Sequence, residues 1–252
     1  MIKHKIIYYG MTFVLMIVLM VSGIPPLLSG WITLIIMVTL YILWSIVRQK
    51  KRVDLLEVFY DPQAFILATQ TQQKVNKKMA ELLEHDIACG HMALGEYEQA
   101  LELFKNLKLK RFLKWDVTKY AYYHNYCLCL FNLGAIEEAE KIYEQQIAQT
   151  PVINKKQRLL LELLMASYYY YKKDYKTSRE IVEAFLKQDK ITPYLKLNAL
   201  YDLARIEESE GHLELARDLY QRVAKHGGQL NIAKQSRDKL ALEVVDRGNF
   251  KC

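Results

Sequence analysis

Four small residues set the frame of this chain. Ala88, Cys127, Ala166 and Ala204 are each followed twelve residues later by another small one, at Ala100, Ala139, Ser178 and Ala216. Between the members of the pairs stand Gly95, Gly134, Lys173 and Gly211, at intervals of 39, 39 and 38 residues. Small residues at such a period let paired helices approach closely, and larger residues between them fill the space to the next pair. A chain written this way is constrained to stacked helical hairpins. The spacing predicts first helices near 77–94, 116–133, 155–172 and 194–210, and second helices near 97–107, 136–149, 175–188 and 213–226.

The residues around the small positions repeat as well. The second copy reads Tyr123, Tyr126, Cys127 and Leu130, then Ala139, Tyr143 and Pro151. The first reads Ile87, Ala88, His91, Gly95, Tyr97, Ala100 and Phe104; the third reads Met165, Ala166, Tyr169, Tyr175, Ser178 and Val182. The fourth reads Leu203, Ala204, Gly211, Leu213, Ala216 and Tyr220. This pattern resembles the tetratricopeptide (TPR) repeat, whose unit is about 34 residues. Because the small-to-small spacing stays at twelve, the extra residues of this longer unit fall near 107–116, 148–155 and 188–193, between hairpins. The third copy departs most, with Lys173 in place of Gly and Ser178 in place of Ala.

Ahead of the repeats, Ile6 to Val47 form 42 consecutive residues without a charge. A membrane helix needs about 20 apolar residues, so the run is long enough for two, broken at Ser22-Gly23-Ile24-Pro25-Pro26. The expected spans are 5–23 and 28–48. Tyr8, Tyr9, Trp31, Tyr41 and Trp44 lie where interfacial aromatic belts would. A cleavable signal peptide fits less well, since no small-x-small site is present and a second apolar span follows at once.

The net charge is +7, yet residues 1–52 hold +6 of it in Lys3, Lys5, Arg48, Lys50, Lys51 and Arg52, with no acid. The basicity is therefore a topology signal, placing both termini on the cytoplasmic side of the cell membrane, and no nucleic-acid partner is expected.

The expected architecture is all-α. A transmembrane hairpin with basic flanks occupies 1–52, and a linker and capping helix occupy 53–80. Four repeats of an α-solenoid follow over 81–228, with a C-terminal capping helix and tail over 229–252. Asp61-Pro62 marks the start of a helix at 62–74. The charged stretch 230–246 reads as a solvating end cap. Cys127 and Cys129 form C-x-C, and Cys89 and Cys252 have no evident partners, so reduced thiols are expected.

No phosphate-binding loop, nucleophile elbow or H-E-x-x-H occurs, and the acids fall at solvent-face spacing. The chain is therefore expected to be no enzyme, with no cofactor and no small-molecule substrate. His85, Cys89 and His124 could meet as three metal ligands, but no fourth ligand is suggested, and no metal is expected. Lys108, Lys110, Arg111 and Lys114, beside Phe112 and Trp115, suit contact with anionic lipid head groups.

The resemblance implies that the first helix of each repeat lines a concave groove. The groove positions are His85, Cys89, Met92, His124, Leu128, Phe131, Ser167, Tyr170, Tyr201, Arg205 and Glu208, with Asn125, Asn132 and Tyr171 beside them. Such a surface suits an extended or helical peptide. The Lys, Asn and Arg positions of the family's carboxylate-clamping form are absent, so chaperone-tail binding is not implied. The whole resembles bacterial membrane-anchored tetratricopeptide proteins. It implies a cytoplasm-facing scaffold for a protein or peptide partner. The alternatives are a peptide-sensing regulatory protein, or a structural subunit of a membrane complex that uses the hairpin as its interface.

Overall fold

A computed structural model describes residues 2–107, 116–152 and 154–249. The chain divides into two compact units, Met1–Lys51 and Arg52–Cys252. Among the described residues the regular structure is entirely helical.

In the first unit, α1 (Ile2–Val21) ends where the sequence breaks. Gly23 adopts φ +85°, and the Gly23 and Ile24 N–H groups donate back to the Met20 and Leu19 carbonyls at 3.0 and 3.2 Å. This left-handed closure satisfies carbonyls that the helix end would otherwise leave free. Helix α2 (Pro26–Glu57) starts on a proline, whose missing N–H costs nothing at a first turn. It is the one described helix long and apolar enough to cross a membrane, while α1 is apolar over the shorter stretch Gly10–Val21. Leu34, Ile35 and Trp44 are exposed on α2, whereas Ser29, Thr33 and Met37, one turn apart, are buried.

Helix α2 ends at Glu57 and not near 48, and this corrects the reading of Arg52 as a flanking membrane charge. Arg52 is buried within the second unit. Its Nη2 pairs with Asp86 Oδ2 at 2.7 Å, its Nη1 donates to Thr69 Oγ1 at 3.0 Å, and its guanidinium lies 5.4 Å from the Phe65 ring centroid. Its charge is compensated inside the protein, so it ties the following helices together and adds no free charge to the flank.

The second unit opens with α3 (Pro62–Val75), where Asp61 Oδ1 accepts the Ala64 N–H at 2.9 Å. Four hairpins follow: α4 (Ala80–Leu94) with α5 (Tyr97–Asn106), then α6 (Asp116–Asn132) with α7 (Ile136–Ile142), which continues as a π turn over Tyr143–Ile147. The third pairs α8 (Lys155–Tyr171) with α9 (Tyr175–Leu186), and the fourth pairs α10 (Pro193–Ser209) with α11 (Leu213–His226). Helix α12 is Asn231–Asn249.

All eight small positions are buried, none more than 2% exposed. Their spacing works by direct contact. Cys127 Sγ lies 3.5 Å from the Ala139 carbonyl oxygen, and Ser178 Oγ donates to the Ala166 carbonyl at 2.8 Å. The second contact explains the Ser of the third copy: its hydroxyl fits the close approach because a carbonyl of the facing helix accepts its proton.

The turns repeat too. Gly95, Gly134 and Gly211 have φ of +82°, +75° and +85°, and Lys173 takes the same left-handed conformation at +63°. A side chain there costs about 1 kcal/mol that glycine avoids. Lys173→Gly is therefore expected to stabilise the protein by about 1 kcal/mol, seen as a Tm increase of a few degrees in a thermal melt.

The end of the unit differs from a solvating cap. One face of α12 is buried through Ala233 and Ser236, and Leu230 packs with Leu56 and Phe65. The Gln229 N–H donates to the Tyr60 carbonyl at 3.0 Å. A Cβ on Gly95 would stand 2.4 Å from the Asn231 side chain, so glycine is required where α12 crosses the first hairpin. The last helix thus returns to the first hairpin, and only its opposite face carries the solvating charges.

Candidate ligand cavity

The return of α12 adds Asn231 and Ile232 to the wall of a partly open cavity of about 190 Å³. Its wall includes Cys89 and Met92 of α4, His124, Asn125, Leu128 and Asn132 of α6, Ser167 and Tyr171 of α8, and Tyr201 and Arg205 of α10. These are expected groove residues, brought together by the first helix of every hairpin.

Four expected residues lie elsewhere. His85 is buried behind the wall, its Nε2 3.3 Å from Asn125 Nδ2. Phe131 is fully buried and stacks on Tyr171, with centroids 5.5 Å apart. Tyr170 lies on the far side of Arg205, its ring centroid 4.1 Å from the guanidinium carbon. Glu208 is held by the Tyr220 hydroxyl at 2.7 Å and Lys239 Nζ at 2.6 Å. Lys108, Lys110, Arg111 and Lys114 lie outside the described residues.

Other wall residues were not anticipated: Tyr97, Tyr194, Asn198, Asp202, Asn231 and Ile232, with Leu160, Leu163, Leu195 and Leu230 supplying apolar surface. Tyr194, Asn198, Asp202 and Arg205 follow each other at four-, four- and three-residue steps, with Tyr201 three after Asn198, the face of one helix. That signal was present in the sequence. Asn231 and Ile232 come from beyond the repeat and carried none.

Two full charges face the cavity. Arg205 Nη1 is 3.9 Å from Asp202 Oδ1, and its Nη2 donates to the Tyr171 hydroxyl at 3.4 Å. The Tyr171 and Tyr201 ring centroids lie 5.4 and 5.8 Å from the guanidinium carbon, so aromatic faces hold this cation on several sides. Burial pushes the Asp202 carboxyl up to about 6, outweighing the nearby Arg205. Burial also pushes the Tyr97 hydroxyl up to about 12, against the opposing hydrogen bond from Asn231.

The raised Asp202 value has a stability consequence. A carboxyl protonated more readily in the folded state stabilises fully below its unfolded value near 3.9, and loses that contribution as pH rises through about 6. Asp202→Asn is therefore expected to stabilise the protein by about 1–3 kcal/mol at pH 8. The gain should shrink as pH falls and vanish below about pH 4. Thermal melts from pH 4 to 8 check this.

The His/Cys group does not assemble as a set of metal ligands. His124 is buried, which lowers its pKa. Its Nε2 donates to the Leu160 carbonyl at 3.1 Å and its Nδ1 lies 3.0 Å from Asn125 Oδ1, so both nitrogens are turned from Cys89. His85 Nδ1 is 3.8 Å from Cys89 Sγ and 3.6 Å from Asp86 Oδ1. Burial opposes its protonation, but Cys89 and Asp86 prevail and raise His85 to about 10.

Outside the cavity, Glu207, Glu210 and His212 bring three ligand atoms together. The Arg179 guanidinium already occupies the place of a cation. Its Nε and Nη2 donate to Glu207 at 2.8 and 3.0 Å, and it also pairs with Glu210. His212 Nδ1 sits 2.7 Å from Glu207 Oε2. This is a tie between α9 and α10.

No protein-family model matches the chain, and no curated protein or solved structure is similar to it.

Proposed function

We propose that this is a non-enzymatic, tetratricopeptide-like binding protein, held at the cell membrane by a two-span hairpin with its repeats facing the cytoplasm. Its cavity takes one residue or one chain end of a protein or peptide partner. The observation that carries this reading is the common contribution of all four first helices to one cavity, lined by amides and phenols. The side-chain amides of Asn132, Asn198 and Asn231 carry both donors and acceptors, as peptide groups require. At 190 Å³ the cavity lies below the roughly 300–1,000 Å³ of a drug-sized pocket, so a single residue suits it.

The membrane part of the reading rests on the apolar α2, the apolar Gly10–Val21 stretch of α1, and Lys3, Lys5, Arg48, Lys50 and Lys51 without an acid among them. Anchoring raises the effective concentration of partners on the same membrane. Regulation by a small peptide is the second reading, favoured by the joint at Asn231 and Gly95, because a ligand inside touches both ends of the repeat array.

Crosslinking from native membranes, comparing wild type with Asn132→Ala/Tyr201→Ala, tests the proposal. A partner captured by wild type and lost by the variant is expected. Equal capture by both removes the cavity from the function and leaves the hairpin as the interface.

A further inference from the structure

The cavity wall holds one cation, Arg205, and one carboxyl, Asp202, and apart from these two its polar groups are amides, hydroxyls, a thiol and the buried His124. A lone anion on Arg205 would lie beside the Asp202 carboxylate, and a lone cation on Asp202 would lie beside the guanidinium. Either loses on one neighbour what it gains on the other. A ligand carrying both charges on adjacent atoms meets both.

The separation is suited to that. Arg205 and Asp202 are 3.9 Å apart, beyond the ~2.7–3.2 Å of a hydrogen bond, so neither saturates the other. An α-ammonium and α-carboxylate share one carbon, and so are held a comparable distance apart. Leu128, Leu160, Leu163, Leu195 and Ile232 supply an apolar part of the wall for a side chain. Size fits as well, since a cavity of about 150 Å³ accepts benzene and this one is about 190 Å³.

We propose that the cavity binds a free α-amino acid with an apolar side chain, its carboxylate on Arg205 and its ammonium on Asp202. The proposal rests on the reading of the cavity as a ligand site and names the ligand class. It also gives a reason for a partly buried carboxyl that weakens the fold at neutral pH: groups kept against stability cluster at binding sites. The tyrosine rings around Arg205 fix its plane, so the cation is positioned before a ligand arrives.

Calorimetric titration of the full chain in detergent tests this with L-leucine, N-acetyl-L-leucine, L-leucinamide and the tripeptide Ala-Ala-Leu. Leucine should bind, and removal of either ligand charge should weaken binding at least about tenfold, because a buried partner is left unpaired. Asp202→Asn, which keeps the fold, should erase the preference for leucine over N-acetyl-leucine. The tripeptide should bind less tightly than leucine, since its ammonium is far from its carboxylate.

Absence of leucine binding at millimolar concentration, or equal binding of N-acetyl-leucine by wild type, overturns the proposal. Tighter binding of the tripeptide overturns it in favour of a chain end. These outcomes are separable from the crosslinking test: partner loss in Asn132→Ala/Tyr201→Ala without leucine binding keeps the cavity and removes the amino acid. Leucine binding with unchanged partner capture does the reverse.

Discussion

Replacing Arg179 with Met is expected to destabilise the protein by about 3–5 kcal/mol, the largest effect of any single charge removal here. Glu207 is only 4% exposed in its side chain and accepts two hydrogen bonds from this guanidinium. Burial alone would raise its carboxyl, but Arg179 and His212 hold it below the usual range. Without Arg179 a buried carboxylate keeps only His212, and Glu210 adds repulsion. For a domain of this size, the loss corresponds to a Tm decrease of roughly 6–20 °C.

The sign of the pH dependence follows from the lowered Glu207 value. Its contribution is present above the unfolded value near 4.3 and is lost as pH falls through the lower folded value, so wild type and variant should converge in acid. A second variant separates an unpaired charge from lost packing. Arg179→Met/Glu207→Leu should recover much of the loss, because an apolar pair leaves no buried charge behind. Denaturant unfolding at pH 7 and in acid measures both. A loss under 1 kcal/mol for Arg179→Met would show that water reaches Glu207.

Phe131→Ala should cost a similar amount, about 3–5 kcal/mol. The ring is fully buried. It stacks on Tyr171 at 8° between planes and meets Tyr168 edge-on at 6.2 Å, so its removal opens a void between α6 and α8. The sequence placed Phe131 on the groove. If that were its position, truncation would change binding and leave stability nearly untouched. The same urea titration distinguishes the two: a midpoint shifted strongly downward identifies a core residue, and an unmoved midpoint returns it to the surface.

Phe131 shows where sequence reading stops. The small residues and turn glycines were legible because each acts locally: consecutive helices approach closely at Ala88 and Ala100, and the hairpin between them reverses at Gly95. Even Lys173, with the wrong residue type, kept its phase and its left-handed backbone. Whether a ring on the first helix points into the cavity or between neighbouring hairpins depends on a rotation of a few tens of degrees, which a repeat period does not specify.

Contacts between the two ends of the array were out of reach altogether. Arg52 reads as one more basic residue after an apolar run, and its partner Asp86 is visible only once α3 and α4 are folded. Asn231 lies outside the periodic pattern, and its meeting with Gly95 depends on the curvature accumulated over all the connectors between. The second cavity charge was missed for a simpler reason. Asp202 is one turn before Arg205, on a face already identified, but groove positions taken from the repeat pattern skipped it.

A row of stacked hairpins ordinarily has two free ends, and each can fray without disturbing the middle. Here Gln229 bonded to Tyr60, Leu230 seated against Leu56 and Phe65, and Asn231 against Gly95 tie the segment after the last hairpin to the first hairpin and the helices before it. Loosening of the first hairpin therefore also strips contacts from α12, which caps the last, and cooperativity that a linear array passes along step by step gains a second route.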